Sequence, residues 1–477
     1  MVQDSIGMKA AAIIQFGSKY ASIALQLLVT AMLSRLLSPA DFGLISIVSV
    51  FTSFFTLFSD LGIGTAVVQY QDLSDDDCSG LFCFSIILSF LLCGLFIFAA
   101  YPISSFYGDE RLFSLCIAVC PSLLFSSLNM VPNGLMLKKR RFRVIGIRLI
   151  TTTALSGLVA IVFAMSGFAY YALALQTVVN QFLIFIWNYL SNPILSLNWH
   201  FIKPLKRVYS YSLYQFGFSF INYFSRNMDN LVIGRVFGSV GLGYYDKAYK
   251  LTTYPLNSIS SVLASVVQPY MASHQDDRNI IFNAWLKITR LLSMVAIYIS
   301  VIFFTCSGEI IELFYGSQWG SSVPLFSILS VTVYFQMLGN PTGAFFQSLG
   351  RTDLMFKAGC VNTCLTMLGL CGGVVCGTLS SVSVGIALAF SLHIASLAYY
   401  LIIKGFGRSG KDLLIFVPDV IVGTCSALAV LIICQPLALP VLLSLCVKGA
   451  LSVLLVTLSF SFLGRTKALR QLIPKRK

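Results

Sequence analysis

The sequence predicts an all-α polytopic membrane protein of about 14 transmembrane helices, arranged as two parallel pseudo-symmetric six-helix bundles plus two C-terminal helices. Three observations carry this expectation. Hydrophobic residues make up 57% of the 477-residue chain and charged residues only 10%, with a mean hydropathy of +0.85, so most side chains need a bilayer rather than water around them. The apolar residues run continuously over helix-length stretches instead of alternating in the ten-residue segments of a membrane β-barrel. Short motifs also recur in order about 200 residues apart.

At about 20 apolar residues per crossing, spans are expected at 10–36, 41–68, 80–104, 112–137, 144–166, 168–190, 208–236, 241–268, 287–306, 322–348, 354–378, 381–403, 413–434 and 439–462. The first run, Ala10 to Leu37, is too long for the core of a signal peptide and lacks a small-residue cleavage site, so it is expected to stay as the first helix. Few loops are long enough to hold a soluble domain, so one polytopic membrane domain is expected. The net charge of +14 does not indicate nucleic acid, because the basic residues cluster at the ends of apolar segments: Lys138 to Arg143, Lys203 to Arg207, Lys404 to Lys411 and the tail from Gly464. With the N-terminus inside, every cluster lies on the cytoplasmic side, and both termini are cytoplasmic.

The repeat defines the domains. Arg35-Leu-Leu-Ser-Pro-Ala-Asp-Phe-Gly43 aligns with Arg235-Val-Phe-Gly-Ser-Val-Gly-Leu-Gly243, Val67-Val68-Gln69 with Val266-Val267-Gln268, Phe106-Tyr107-Gly108 with Phe314-Tyr315-Gly316, and Pro132-Asn-Gly134 with Pro341-Thr-Gly343. A shift of six helices is even, so the copies share an orientation. The expected lobes are 1–204 and 205–403, with 404–477 supplying two further helices and a basic tail. In folds of this type the substrate site lies between the bundles. Locally, Ser38 is expected to cap a helix with Pro39 at its first position. The paired Pro-x-Gly motifs at Pro132 and Pro341 are expected kinks and hinges for alternating access.

The candidate site is the stretch Phe224 to Leu251, which gathers Arg226, Asp229, Arg235, Asp246, Lys247 and Lys250. Its helix is expected to run outward to Phe237 and return from Gly241, which puts Asp229 and Asp246 or Lys247 about 8 to 12 Å below the outer end, and Arg226 and Lys250 about 15 Å below it. One reading is a structural staple, Asp229 pairing with Lys247, with Arg235 snorkelling. Four cations against two carboxylates leave +2 after full pairing, however, at about 2.5 to 3.5 kcal/mol per unpaired charge near mid-bilayer. A water-filled cavity that receives an anion removes that cost. Arg226, Lys247, Lys250, Arg235 and Arg35 are therefore the candidate substrate-binding residues for a phosphate-bearing substrate. Asp229 and Asp246 are candidates for a coupling-ion or proton site.

Asp60, Arg148, Arg290 and Lys448 are further intramembrane charges, of which Arg148 and Arg290 are near enough to the cytoplasmic face to snorkel. His393 reads as a packing residue, and Leu73 to Asp77 as a solvated turn. The 13 cysteines form no disulfide framework; Cys360 and Cys364 share a helix face but lack companion ligands, so no metal and no cofactor is expected. There is no Walker lysine motif and no sizeable outer loop bearing paired acids for glycosyl transfer, the longest being about a dozen residues near 308–321. Tryptophans and tyrosines read first as interfacial anchors, though aromatic rings also stack on sugars.

Three stretches, RLLSPADFGLISI, DLGIGTAVVQ (Asp60 to Gln69) and DNLVIGRVFGSVGLGYYDKAYKL (Asp229 to Leu251), resemble the Wzx-type repeat-unit flippases, which include O-antigen, colanic-acid and capsule forms. These belong to the multidrug/oligosaccharidyl-lipid/polysaccharide exporter superfamily. The resemblance implies a non-enzymatic flippase that moves undecaprenyl-diphosphate-linked oligosaccharide to the outer leaflet of a bacterial inner membrane by alternating access, alongside a polysaccharide polymerase and chain-length machinery. Two alternatives stay open. A cation-coupled multidrug exporter of the same superfamily would favour an acid-dominated cavity, and a membrane-embedded polymerase or sugar transferase would need a larger outer domain.

Overall fold

With no water to satisfy its backbone, an apolar chain of this length closes its hydrogen bonds within helices. A computed structural model describes residues 8–60, 62–70, 72–194, 199–256, 258, 278–409, 417–435 and 439–462, and among them every regular element is helical. In the first compact unit, Met1–Gly243, α1 (Met8–Leu36) packs on α7 (Phe142–Met165). There α5 (Arg111–Leu128) packs on α2 (Pro39–Asp60), α4 (Asp75–Tyr107) and α8 (Tyr170–Ser191). The short helices α3 (Ile63–Gln69) and α6 (Met130–Lys138) pack together in a core that includes Ile63, Val67, Leu81 and Val131.

In the second unit, Tyr244–Lys477, α10 (Arg278–Thr305) packs on α12 (Ser322–Gly339) and α16 (Val417–Cys434). Likewise α14 (Thr352–Val375) packs on α15 (Leu379–Ala398), and α16 on α17 (Val441–Phe462). Val422 of α16 and Val456 and Phe460 of α17 join Leu292, Val333 and Met337 in one core. Outward apolar side chains such as Phe98 and Leu158 are largely exposed, as lipid-facing positions require. The compact units part at 243/244, and the lobe boundary at 204/205 stays an expectation of the sequence repeat.

Among the described residues, twelve helices are long and apolar enough to cross a membrane. The two remaining expected spans, 208–236 and 241–268, fall on the charged α9 (Ile202–Pro255), a 54-residue helix interrupted at Gly238 (φ 70, ψ −177). A straight helix of that length would reach about 81 Å, far beyond a hydrocarbon core of about 30 Å. Its break falls inside the expected hairpin turn, at a residue whose missing Cβ tolerates positive φ. The count of fourteen stays an expectation, because the end of the 241–268 span lies outside the described residues, as do Val266-Val267-Gln268 and the basic tail.

Several helix ends are set by residues visible in the sequence. The Ser38 amide donates to Asp41 Oδ2 at 2.9 Å, and the Asp41 amide to Ser38 Oγ at 3.3 Å. Leu73 to Asp77 is not merely a solvated turn: Ser74 and Asp77 form the same reciprocal capping box, which starts α4 five residues before its expected limit at 80. Asn129 separates α5 from α6, and Pro341 caps α13 (Thr342–Ser348) just after α12. Each break lies beside a Pro-x-Gly motif, where proline frees the carbonyl four residues back. The stretch near 308–321, expected as a loop, instead contains α11 (Ser307–Tyr315) and a 3-10 turn at Ser317–Trp319.

The duplicated turns touch each other reciprocally. A Cβ on Gly43 would lie 1.7 Å from the Ser239 carbonyl oxygen, and one on Gly243 would lie 2.0 Å from that of Pro39. Positions 39 and 239 are equivalents in the repeat, as are 43 and 243, so the two contacts are related by a local pseudo-two-fold axis. The shared terminal glycine is thus a requirement of close backbone approach.

Candidate functional site

The second limb of α9 places Asp246, Lys247 and Lys250 on adjacent turns. Lys250 Nζ lies 2.7 Å from Asp246 Oδ2, an i,i+4 pair whose lysine is 57% exposed and whose aspartate is 8% exposed. Lys247 is 2% exposed. Its ammonium stands 4.9 Å from the Tyr315 ring centroid and 5.5 Å from that of Trp319, a cation held against two buried aromatic faces. The same turn is anchored by the Ser322 hydroxyl, which donates to the Tyr244 carbonyl at 2.9 Å, and by Tyr245 stacked on Tyr249 at 5.8 Å.

Sequence reasoning left out Tyr315 and Trp319 as site residues, although the signal for Tyr315 was present in the Phe-Tyr-Gly repeat. In the first unit the other copy of that motif also meets a cation of α9: the Arg235 guanidinium lies 5.1 Å over Phe106, and the Tyr107 hydroxyl donates to the Leu231 carbonyl at 3.3 Å. By the 200-residue offset, Asp246, Lys247 and Lys250 stand where the first copy has Ser46, Ile47 and Val50. The charges are an addition to the second copy, not part of the shared scaffold.

The other expected site residues are placed as follows. Arg226 is exposed; Asp229 is half-buried, with Oδ1 accepting the Asn230 amide at 2.9 Å. Arg35 is exposed in the last turn of α1, where a cation suits the helix dipole. Pro132 and Pro341 sit at the helix breaks described above. Arg35, Arg226, Asp229 and Arg235 fall in the first unit, and Asp246, Lys247 and Lys250 in the second, where Asp246 and Lys250 are joined directly. Among the described residues no group of three or more His, Cys, Asp or Glu could hold a metal ion.

Arg148 does not snorkel to the surface. It is 9% exposed, and its Nη1 donates to Asn188 Oδ1 and, at 3.2 Å, to Asn133 Oδ1. Asn188 Nδ2 in turn donates to Asn129 Oδ1 at 2.7 Å, so amide oxygens solvate the guanidinium and brace the α5–α6 break. Lys448 pairs with Glu309 at 2.5 Å, which ties α17 to α11. Burial pushes the Glu309 carboxyl up, but the hydrogen bonds from Lys448 and Ser444 outweigh it and hold the group below its ordinary value.

The family described as polysaccharide biosynthesis protein matches residues 32–324. The chain belongs to that family. It is 25% identical to the teichuronic acid biosynthesis protein TuaB of Bacillus subtilis, over 72% of this chain and 73% of that one. It is 24% identical to the lipopolysaccharide biosynthesis protein WzxC of Escherichia coli, over 81% and 80%. The fold is that of the lipid II flippase MurJ in an inward closed conformation, with a TM-score of 0.76 at 14% identity, covering 96% of this chain and 100% of that chain. The protein is thus a multi-pass membrane member of a polysaccharide biosynthesis family that shares the fold of MurJ.

Proposed function

We propose that this protein is a flippase that translocates undecaprenyl-diphosphate-linked oligosaccharide repeat units across the bacterial inner membrane by alternating access, for surface polysaccharide biosynthesis. The observation that carries the reading is a polysaccharide biosynthesis family match on a chain that shares its fold with a lipid flippase almost from end to end. Lys247, Lys250, Arg226, Arg235 and Arg35 attract the diphosphate. Asp229 and Asp246 serve a coupling ion or proton, and Pro132 and Pro341 act as hinges between the lobes. Both termini face the cytoplasm, and a polysaccharide polymerase with its chain-length machinery takes up the product. The excess of cations over carboxylates in the site favours an anionic lipid head over a cationic drug.

The test is removal of the gene from its host followed by analysis of lipid-linked intermediates. Complete repeat units should build up on the cytoplasmic leaflet while surface polymer is lost. Normal surface polymer without build-up would overturn the reading. Incomplete repeat units would identify a transferase instead, and single units exposed at the surface a polymerase.

A further inference from the structure

A cavity of about 400 Å3 lies within the first unit, lined from α2, α5, α8 and α9, a size within the range of about 300 to 1,000 Å3 typical of small-molecule sites. Ser49, Thr52, Ser53 and Thr56 form one wall. Their spacing of i, i+3, i+4 and i+7 puts four hydroxyls on a single face of α2, and among the described residues lining the cavity none is ionisable. Thr52 and Thr56 donate to the Val48 and Thr52 carbonyls, each at 2.8 Å, and Thr177 opposite donates to the Leu173 carbonyl at 3.1 Å. Each of these protons is spent within its own helix, so what remains on the hydroxyl is acceptor lone pairs.

The donors come from elsewhere. Gln181, one turn from Thr177, brings an amide that both donates and accepts. Ser122 of α5 is 2% exposed and its Oγ has no hydrogen-bond partner among the described residues, so its hydroxyl is left to donate to an incoming acceptor. Phe216 adds an aromatic face, with its ring 5.0 Å from that of Phe58.

We infer that this neutral hydroxyl-and-amide cavity is the glycan subsite, which receives an uncharged sugar ring of the repeat unit. Sugar hydroxyls donate to Thr52, Thr56 and Thr177 and accept from Ser122 and Gln181, while the apolar face of the ring lies on Phe216. Among the described lining residues a phosphate finds no cation and a cationic drug no carboxylate, and a polyprenyl tail meets too many hydroxyls. Diphosphate and glycan are then read by different residues, the cations of α9 and the hydroxyls of α2, α5 and α8. The inference rests on the flippase reading and adds to it the determinant of sugar selectivity.

The experiment is native mass spectrometry of the purified full-length protein with two probes, undecaprenyl diphosphate carrying the host's complete repeat unit and undecaprenyl diphosphate alone. The wild-type protein should hold the glycan-bearing lipid more tightly. Thr56→Val combined with Gln181→Leu should weaken it about tenfold, equivalent to about 1.4 kcal/mol, and leave the bare carrier unchanged; Thr56→Ser, which keeps the hydroxyl, should match wild type. Equal weakening of both probes, no weakening of either, or a wild-type protein that does not distinguish them would overturn the glycan subsite and leave the flippase reading standing. A wild-type protein that holds neither probe would overturn both.

Discussion

Substitution of alanine at Gly43 tests whether the paired turns are in close backbone contact. Ordinary contact begins at 3.4 Å, and the added methyl would lie 1.7 Å from the Ser239 carbonyl oxygen, so the two backbones must separate by about half the normal contact distance. Overpacking by a methylene costs about 1 to 3 kcal/mol where side chains can move; here the obstacle is backbone, and the upper end, about 3 kcal/mol, applies. Helix propensity opposes this, since Gly→Ala within a helix gains up to about 1 kcal/mol. The net expectation is a loss of about 2 kcal/mol for Gly43→Ala. Gly243→Ala should behave alike, because its methyl would meet the Pro39 carbonyl at 2.0 Å. Gly94, with nothing within 4 Å, is the control and should be stabilised by alanine. Size-exclusion chromatography of the detergent-solubilised protein after heating reads the difference. Gly43→Ala as heat-resistant as Gly94→Ala would refute the contact and the physical account of the duplicated glycine.

Lys247→Met keeps the length of the side chain between Tyr315 and Trp319 but removes its charge. Surface polymer should fall at least tenfold with the protein inserted at normal level, and unimpaired export would show that the cation serves packing alone. Glu309→Gln leaves Lys448 without its carboxylate at a site where the lysine is 23% exposed. The expected loss is about 2 kcal/mol, less than the about 3 to 5 of a fully buried pair, and Glu309→Met with Lys448→Met should recover most of it in the same heating assay. Because the folded-state value of Glu309 is lowered, its contribution is present at neutral pH and is lost as the pH falls through that lowered value. Wild type should therefore lose heat resistance on acidification more steeply than the double methionine variant, and equal slopes would exclude the pair as the cause.

Much of the fold could be read from the sequence, because run length in an apolar chain is dictated by bilayer thickness and twelve of the expected spans are helices of suitable length and hydropathy. The turn at Ser38-Pro39-Asp41 and the breaks beside Pro132 and Pro341 were legible for the same reason: capping and proline effects act within four residues. What stayed hidden depends on contacts distant in sequence. The Arg148 guanidinium is solvated by Asn188, 40 residues away, so its sequence neighbours do not reveal its partner. Trp319 reads as an interfacial anchor until α11 and the turn after it bring its ring to Lys247. The hydroxyl stripe from Ser49 to Thr56 was present as a helical period but carries no charge, and attention to charges passes over it.

The central claim is tested most directly by the purified protein reconstituted into liposomes that hold the lipid-linked repeat unit in both leaflets, with a membrane-impermeant enzyme added outside to cleave the exposed diphosphate linkage. Without the protein, cleavage should stop near half of the lipid, the outer-leaflet share. With it, cleavage should proceed towards completion, and with Lys247→Met it should again stop near half. Cleavage that stops near half with the wild-type protein under both proton and sodium gradients would contradict the account.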